Sequence, residues 1–144
     1  MILYPVFVRH RIKIAFSLKA LSIGLCVSAL ILIPYYFLFG ESEGKITLYA
    51  ILFQLIGIAL PEEFFFRGFL QDSMGKTIKA VIFVSLLFSI AHLPKAIFSH
   101  EWISLLSFFP SLVMGWLYMK TNNILPGTIF HFLANVVQSI VTIQ

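Results

Sequence analysis

A chain of 144 residues that is 60% hydrophobic and only 11% charged has too little polar surface to face water on all sides; soluble domains carry about 25% charged residues. The net charge of +4 does not point to nucleic acid, because the basic residues sit at the ends of apolar runs and form no patch. The lone Cys26 lies inside an apolar run, which excludes a disulfide framework or a cysteine metal knot and predicts a small buried hydrophobe.

Crossing the hydrocarbon core takes about 20 apolar residues, and five runs of this chain approach that length. The first, 16–39, follows Arg9, Arg11 and Lys13; it is too long for a signal-peptide core and has no evident cleavage site, so it is expected to be retained. Residues 40–45 (GESEGK) form a polar turn. The second run, 46–70, contains the unusual segment Pro61-Glu62-Glu63-Phe64-Phe65-Phe66-Arg67. Residues 71–79 read as a loop, with Asp72, Ser73 and Gly75 as turn formers.

The third run, 80–93, is expected to stop ahead of Pro94, and a short link with Lys95, His100 and Glu101 follows. The fourth, 102–119, should kink at Pro110. Thr121-Asn122-Asn123 makes a turn, and the fifth run, 125–143, tolerates Pro126 in its first turn. The fold class is therefore an all-α polytopic bundle of about five spans. Residues 1–144 form one transmembrane domain with a core at about 46–143.

Five spans put the two ends of the run on opposite sides. Arg9, Arg11, Lys13, Lys19, Arg67, Lys76, Lys79 and Lys120 fall on the N-terminal side, against Lys45 and Lys95 on the other, eight to two. Such asymmetry marks the cytoplasmic face, so the expectation is a protein of the cytoplasmic membrane with a cytoplasmic N-terminus. Tyr35, Trp102, Trp116 and Tyr118 read as interface-belt residues, His10 and His100 as interfacial, and Phe64 to Phe66 as lipid-facing or packing surface.

Glu62, Glu63, Arg67, His92, His131 and Asn135 all fall inside apolar runs. A charge at mid-membrane costs about 2.5–3.5 kcal/mol on insertion scales, so such residues usually face a protein interior or a wet cavity. Glu63 and Arg67 are four apart and share a helix face, in the better order for an ion pair. Glu62 points about 100° away, free of Arg67. His131 and Asn135 share a face by the same spacing, as do Phe88 and His92. At about 1.5 Å per residue, Glu62 lies about 15 Å deep from the cytoplasmic turns, His131 about 10 Å and His92 about 20 Å. Glu62, His92, His131 and Asn135 are expected to face one polar cavity.

Glu62-Glu63-x-x-x-Arg67-Gly68, then Phe88-x-x-x-His92, then His131-x-x-x-Asn135, resembles the three motifs of the CAAX protease and bacteriocin-processing (Abi) family of intramembrane endopeptidases. The segment from Phe109 to Tyr118 is similar to the family's helix between the second and third motifs, and the resemblance covers about residues 53–138. It implies that Glu62 and His92 hold and deprotonate the attacking water. His131 and Asn135 would form the oxyanion hole, and Glu63 and Arg67 would support the site. It also implies a membrane-associated protein or peptide substrate and no cofactor. Many family members carry extra flanking spans, so the cavity here is expected to be more open or completed by a partner chain.

Other readings of the same residues are a structural ion pair at Glu62, Glu63 and Arg67, a capping histidine beside Pro94, and interhelical hydrogen bonding by His131 and Asn135. Two functional alternatives accompany these. One is a zinc protease using the same side chains, although zinc-protease signatures place both histidines on one helix. The other is a non-catalytic immunity or scaffold protein. The substrate itself, whether prenylated tail, bacteriocin leader or sorting signal, is not legible in the residues.

Overall fold

The computed structural model describes residues 14–40 and 47–141. The expected turn at 40–45 and the basic residues Arg9, Arg11, Lys13 and Lys45, with His10, lie almost wholly outside them. The described chain is helical, with no strand element. Helix α1 runs Leu18–Phe39 and α2 spans Leu48–Met74. Then come α3 at Ile78–Ala91, the short α4 at Leu93–Phe98, a 3-10 segment at Trp102–Ser107, α5 at Phe108–Thr121 and α6 at Leu125–Ile140. Four stretches, α1, α2, α3 with α4, and the 3-10 segment with α5, are long and apolar enough to cross a membrane. The fifth, α6, has 16 residues in its described part.

The helix starts are chemically explicit. Ser17, Thr47 and Thr77 each accept a hydrogen bond from the backbone N–H three residues on, opening α1, α2 and α3, as N-cap hydroxyls do. Asn123 opens α6 by accepting from the Leu125 N–H. Glycine and asparagine end helices by taking φ values other residues resist: Gly75, at φ 88°, stops α2, and Asn122, at φ 51°, stops α5.

Two expected boundaries are corrected. Residues 71–74 are not loop: α2 continues to Met74, and Gln71 is fully buried, because its side chain has a partner on α5. The third span does not end at Pro94. Helix α3 breaks at His92, and the chain resumes as α4 with Pro94 in its first turn, where a missing N–H costs nothing. Pro110 likewise stands in the first turn of α5, after the 3-10 segment.

Helix α2 is irregular in a way the sequence does not announce. Phe53–Ala59 and Phe64–Gln71 wind as π-helix on either side of an α-helical turn, Leu60–Glu63. Pro61 lies in that turn and supplies no N–H to the ladder. Wide π turns are rare and often accompany functional sites; here they flank Glu62 and Glu63.

The packing is apolar outside and polar inside. Leu30, Phe37 and Leu48 are 76%, 79% and 71% exposed, whereas Glu63, Arg67 and Gln71 are at 0%. That inversion suits lipid, where apolar side chains need no burial and polar ones must find partners within the protein. Phe66, Val84, Phe88, Met114, Leu117 and Phe130 form the core between α2, α3, α5 and α6. Phe66 thus belongs to the interior rather than to the lipid surface. Helix α1 packs along α6, and Cys26 is exposed on it, not buried. Tyr118 is 1% exposed and donates to Asp72 at 2.7 Å, so it is an interhelical tie and not a belt residue. Trp102 and Trp116 are exposed, as a belt requires.

Candidate active site

The α-helical turn of α2 presents Glu62 and Glu63 to different surroundings. Glu63 is fully buried, and its Oε1 lies 3.0 Å from Arg67 Nη1, one turn on. Arg67, also fully buried, donates through Nη2 to the carbonyl and hydroxyl of Ser111 on α5, at 3.0 and 2.7 Å. Its guanidinium carbon sits 4.9 Å from the centroid of the Phe88 ring, where the ring face attracts a cation. Removing charge from water is costly unless each charge is paired and hydrogen-bonded. Arg67 answers that cost through a carboxylate, two oxygens of Ser111 and an aromatic face.

Glu62 is different: its side chain keeps 34% exposure. It lines a cavity of about 450 Å³ together with Gly57, Pro61, Phe65, Phe66, Ala91, His92, Pro94 and Lys95. The break between α3 and α4 brings His92 to this wall. Its Nδ1 lies 2.9 Å from the Phe88 carbonyl. A carbonyl only accepts, so Nδ1 carries the hydrogen and Nε2 of the neutral ring is left as an acceptor.

His131, 5% exposed on α6, stands between the two carboxylates. Its Nε2 is 3.6 Å from Glu62 Oε2 and its Nδ1 is 3.5 Å from Glu63 Oε1. Both distances allow an electrostatic contact but exceed a good hydrogen bond. One turn along α6, Asn135 Nδ2 donates to Gln54 Oε1 at 3.2 Å. An amide NH₂ has two hydrogens, so one donor of Asn135 remains after that bond.

The predicted residues are therefore brought together in part. Glu62 and His92 share the cavity, and His131 touches both glutamates. Glu63 and Arg67 form the buried pair behind them. Glu62 and His92 line the cavity, while His131 stands behind Glu62, edge-on against Phe88, and Asn135 follows one turn along α6.

Four residues with a part in this arrangement escaped sequence reasoning. Ser111 and Gln54 carry a readable signal, since each is a polar residue inside an apolar run. Gln71, which donates to the Gly115 carbonyl at 2.8 Å, was hidden by the assumed loop. Gly127 carried no signal; a Cβ there would lie 2.6 Å from Glu63 Oε2. Among the described residues, no three His, Cys, Asp or Glu side chains are grouped so that they could hold a metal ion.

A bundle of long apolar helices that exposes leucine and phenylalanine and buries Glu63, Arg67 and Gln71 completely is a polytopic membrane protein. A family model described as type II CAAX prenyl endopeptidase Rce1-like matches residues 44–137. The chain belongs to this Rce1-like family of membrane endopeptidases, and the resemblance seen in the three motifs is thereby borne out. No curated protein and no solved structure matches it.

Proposed function

We propose that the whole chain acts as a single protease domain that hydrolyses a peptide bond of a membrane-associated protein or peptide by an activated water. The observation that carries this reading is the division of labour between adjacent glutamates. Glu63 is committed to Arg67, whereas Glu62 faces a cavity that His92 also lines. A base must reach both solvent and substrate, and of the two glutamates it is Glu62 that meets that condition.

In this mechanism the Nε2 lone pair of His92 accepts one water O–H and the Glu62 carboxylate accepts the other. As the water oxygen attacks the carbonyl carbon, its proton passes to Glu62. His131 Nε2 and the second N–H of Asn135 serve as donors to the developing oxyanion, once substrate displaces Glu62 from beside His131. Collapse of the tetrahedral intermediate breaks the C–N bond, and Glu62 returns the proton to the leaving amine.

The test is cleavage of a membrane-peptide library by purified protein in detergent, compared with Glu62→Gln. This change keeps size and removes the base, so the rate should fall by about 10²-fold or more. Undiminished cleavage by Glu62→Gln would overturn the mechanism. Cleavage by neither protein would favour the non-catalytic scaffold reading.

A further inference from the structure

The cavity wall carries a charge that the mechanism above does not use. Of the lining residues, Glu62 is the carboxylate, His92 the imidazole and Lys95 the cation, and the rest are glycine, alanine, proline and phenylalanine. The Ala96 N–H donates to the His92 carbonyl at 3.0 Å, so the chain from His92 onward is already a helical turn. Residues three apart on such a turn share a face, with Cβ atoms about 5–6 Å apart. The helix break that delivers His92 to the wall therefore delivers Lys95 with it.

Lys95 Nζ lies 2.8 Å from Glu101 Oε2, and the two side chains are 55% and 48% exposed. Glu101 is held at the start of the 3-10 segment, where its carbonyl accepts from the Ser104 N–H at 2.9 Å. Ser89 on α3 ties that segment to the helix leading to His92 by donating to the Leu105 carbonyl at 2.7 Å. The pair shows that a carboxylate can meet this ammonium beside the cavity. An exposed ion pair contributes little to stability, so exchanging one carboxylate for another costs the fold little. The flexible lysine stem lets Nζ change partner without backbone movement. A peptide lying over the cavity takes water from Lys95, and a charge stripped of water needs a counter-charge.

We propose that Lys95 selects the substrate by taking a carboxylate of the peptide, either its C-terminus or an acidic side chain, in exchange for Glu101. This rests on the peptidase reading of the cavity. The spacing sets where that carboxylate stands. An extended peptide advances about 3.3–3.6 Å per residue, so a group reached by Lys95 falls within about three residues of the bond cut beside His92. The proline and phenylalanine of the lining suit apolar residues in that interval.

Matched alanine–leucine peptides decide it: one with a free C-terminus, its C-terminal amide, the amide with one aspartate and the amide with one lysine. Purified protein in detergent should cleave a carboxylate peptide about threefold to tenfold better than the plain amide in kcat/KM, as one charged contact gives. The difference should lie in KM and shrink with added salt. Preference for the free acid alone would identify the chain terminus as the ligand, and preference for the aspartate amide an acidic side chain. Lys95→Gln should abolish the difference, Lys95→Arg should keep it, and Lys95→Glu should favour the lysine peptide. Either Lys95→Gln or Lys95→Glu suffices if the other fails to accumulate. No preference in the parent protein, or a preference that survives in Lys95→Gln, would overturn the proposal. Should no peptide be cleaved, the peptidase reading fails by itself, and fluorescence anisotropy of the same peptides carrying a dye still tests Lys95. Tighter binding of the carboxylate peptides, lost in Lys95→Gln, would support its role; equal or absent binding would overturn it.

Discussion

Arg67 reaches Ser111 twice with one nitrogen, Nη2 meeting the Ser111 carbonyl at 3.0 Å and its hydroxyl at 2.7 Å. Helix α5 therefore holds the cation that in turn holds Glu63. Hydrogen bonds to a charged group contribute about 1.5–3 kcal/mol each, and Ser111→Ala removes one of the two. The expected outcome is a loss of stability of that order in detergent unfolding. Ser111→Thr, which keeps the hydroxyl, should recover part of it. A Ser111→Ala protein as stable as the parent would show that Arg67 finds other partners.

The adjacent glutamates should separate function from folding. Glu62→Gln is expected to lose cleavage with little change in thermal midpoint, because Glu62 is partly exposed and has no hydrogen-bond partner in the fold. Glu63→Gln leaves a fully buried guanidinium without its counter-charge. Breaking a buried pair from one side typically costs about 3–5 kcal/mol. Its signature should be poor accumulation and a lowered midpoint. Equal behaviour of the two variants in both assays would contradict the division of roles.

Gly127 is required by proximity, not by backbone conformation. A methyl group there would sit 2.6 Å from Glu63 Oε2 and 3.6 Å from the Met114 carbonyl, so Gly127→Ala must push the glutamate or part α6 from α2. Misplacement of a site by about 1 Å can cost about 10²-fold in rate. A fall of that size is expected, with the helical content by circular dichroism unchanged. Full activity would show that Glu63 can shift without moving Glu62 or His131.

Much of this architecture could be read from the residues because membrane burial is a one-dimensional constraint. Apolar runs of sufficient length fix where helices lie, and the i, i+4 spacing of Glu63 and Arg67 sets their pairing. What stayed hidden depends on contacts between helices. Whether Gln71 was loop or core turned on a carbonyl of Gly115 on another span. Tyr118, an interface residue by type, is interior because Asp72 stands opposite it. By helical rise His92 lies deeper than Glu62 and His131, and the break between α3 and α4 is what delivers it to the cavity wall. The π turns flanking Glu62 leave no mark in hydropathy at all.

Asn135 and Gln54 offer a test of how an oxyanion donor is aimed. Gln54 accepts one hydrogen of the Asn135 amide at 3.2 Å, which fixes the rotation of the group and leaves the second hydrogen available. Loss of one oxyanion donor costs about 10²–10³ in kcat, so Asn135→Ala should fall in that range. Gln54→Ala keeps the donor but frees its rotation, and a smaller loss, confined to kcat, is expected. Gln54→Glu should rescue it, because a carboxylate accepts the same hydrogen bond. A Gln54→Ala protein slower than Asn135→Ala would show that Gln54 acts on substrate directly.

The partners that the donors already hold bear on the zinc alternative. A catalytic zinc needs three protein ligands with free lone pairs. Here Glu63 is spent on Arg67, and Nδ1 of His92 is spent on the Phe88 carbonyl. His131 sits against both glutamates at 3.5–3.6 Å. The side chains that remain, Glu62 and Nε2 of His92, make a pair suited to holding water. Purified protein in detergent should therefore keep its cleavage rate in strong chelator, while Glu62→Gln loses it under the same conditions. A resident zinc would instead couple activity to metal occupancy, with loss on chelation and recovery on adding zinc. Such a result would replace the carboxylate mechanism with a metal-assisted one while leaving the helical fold intact.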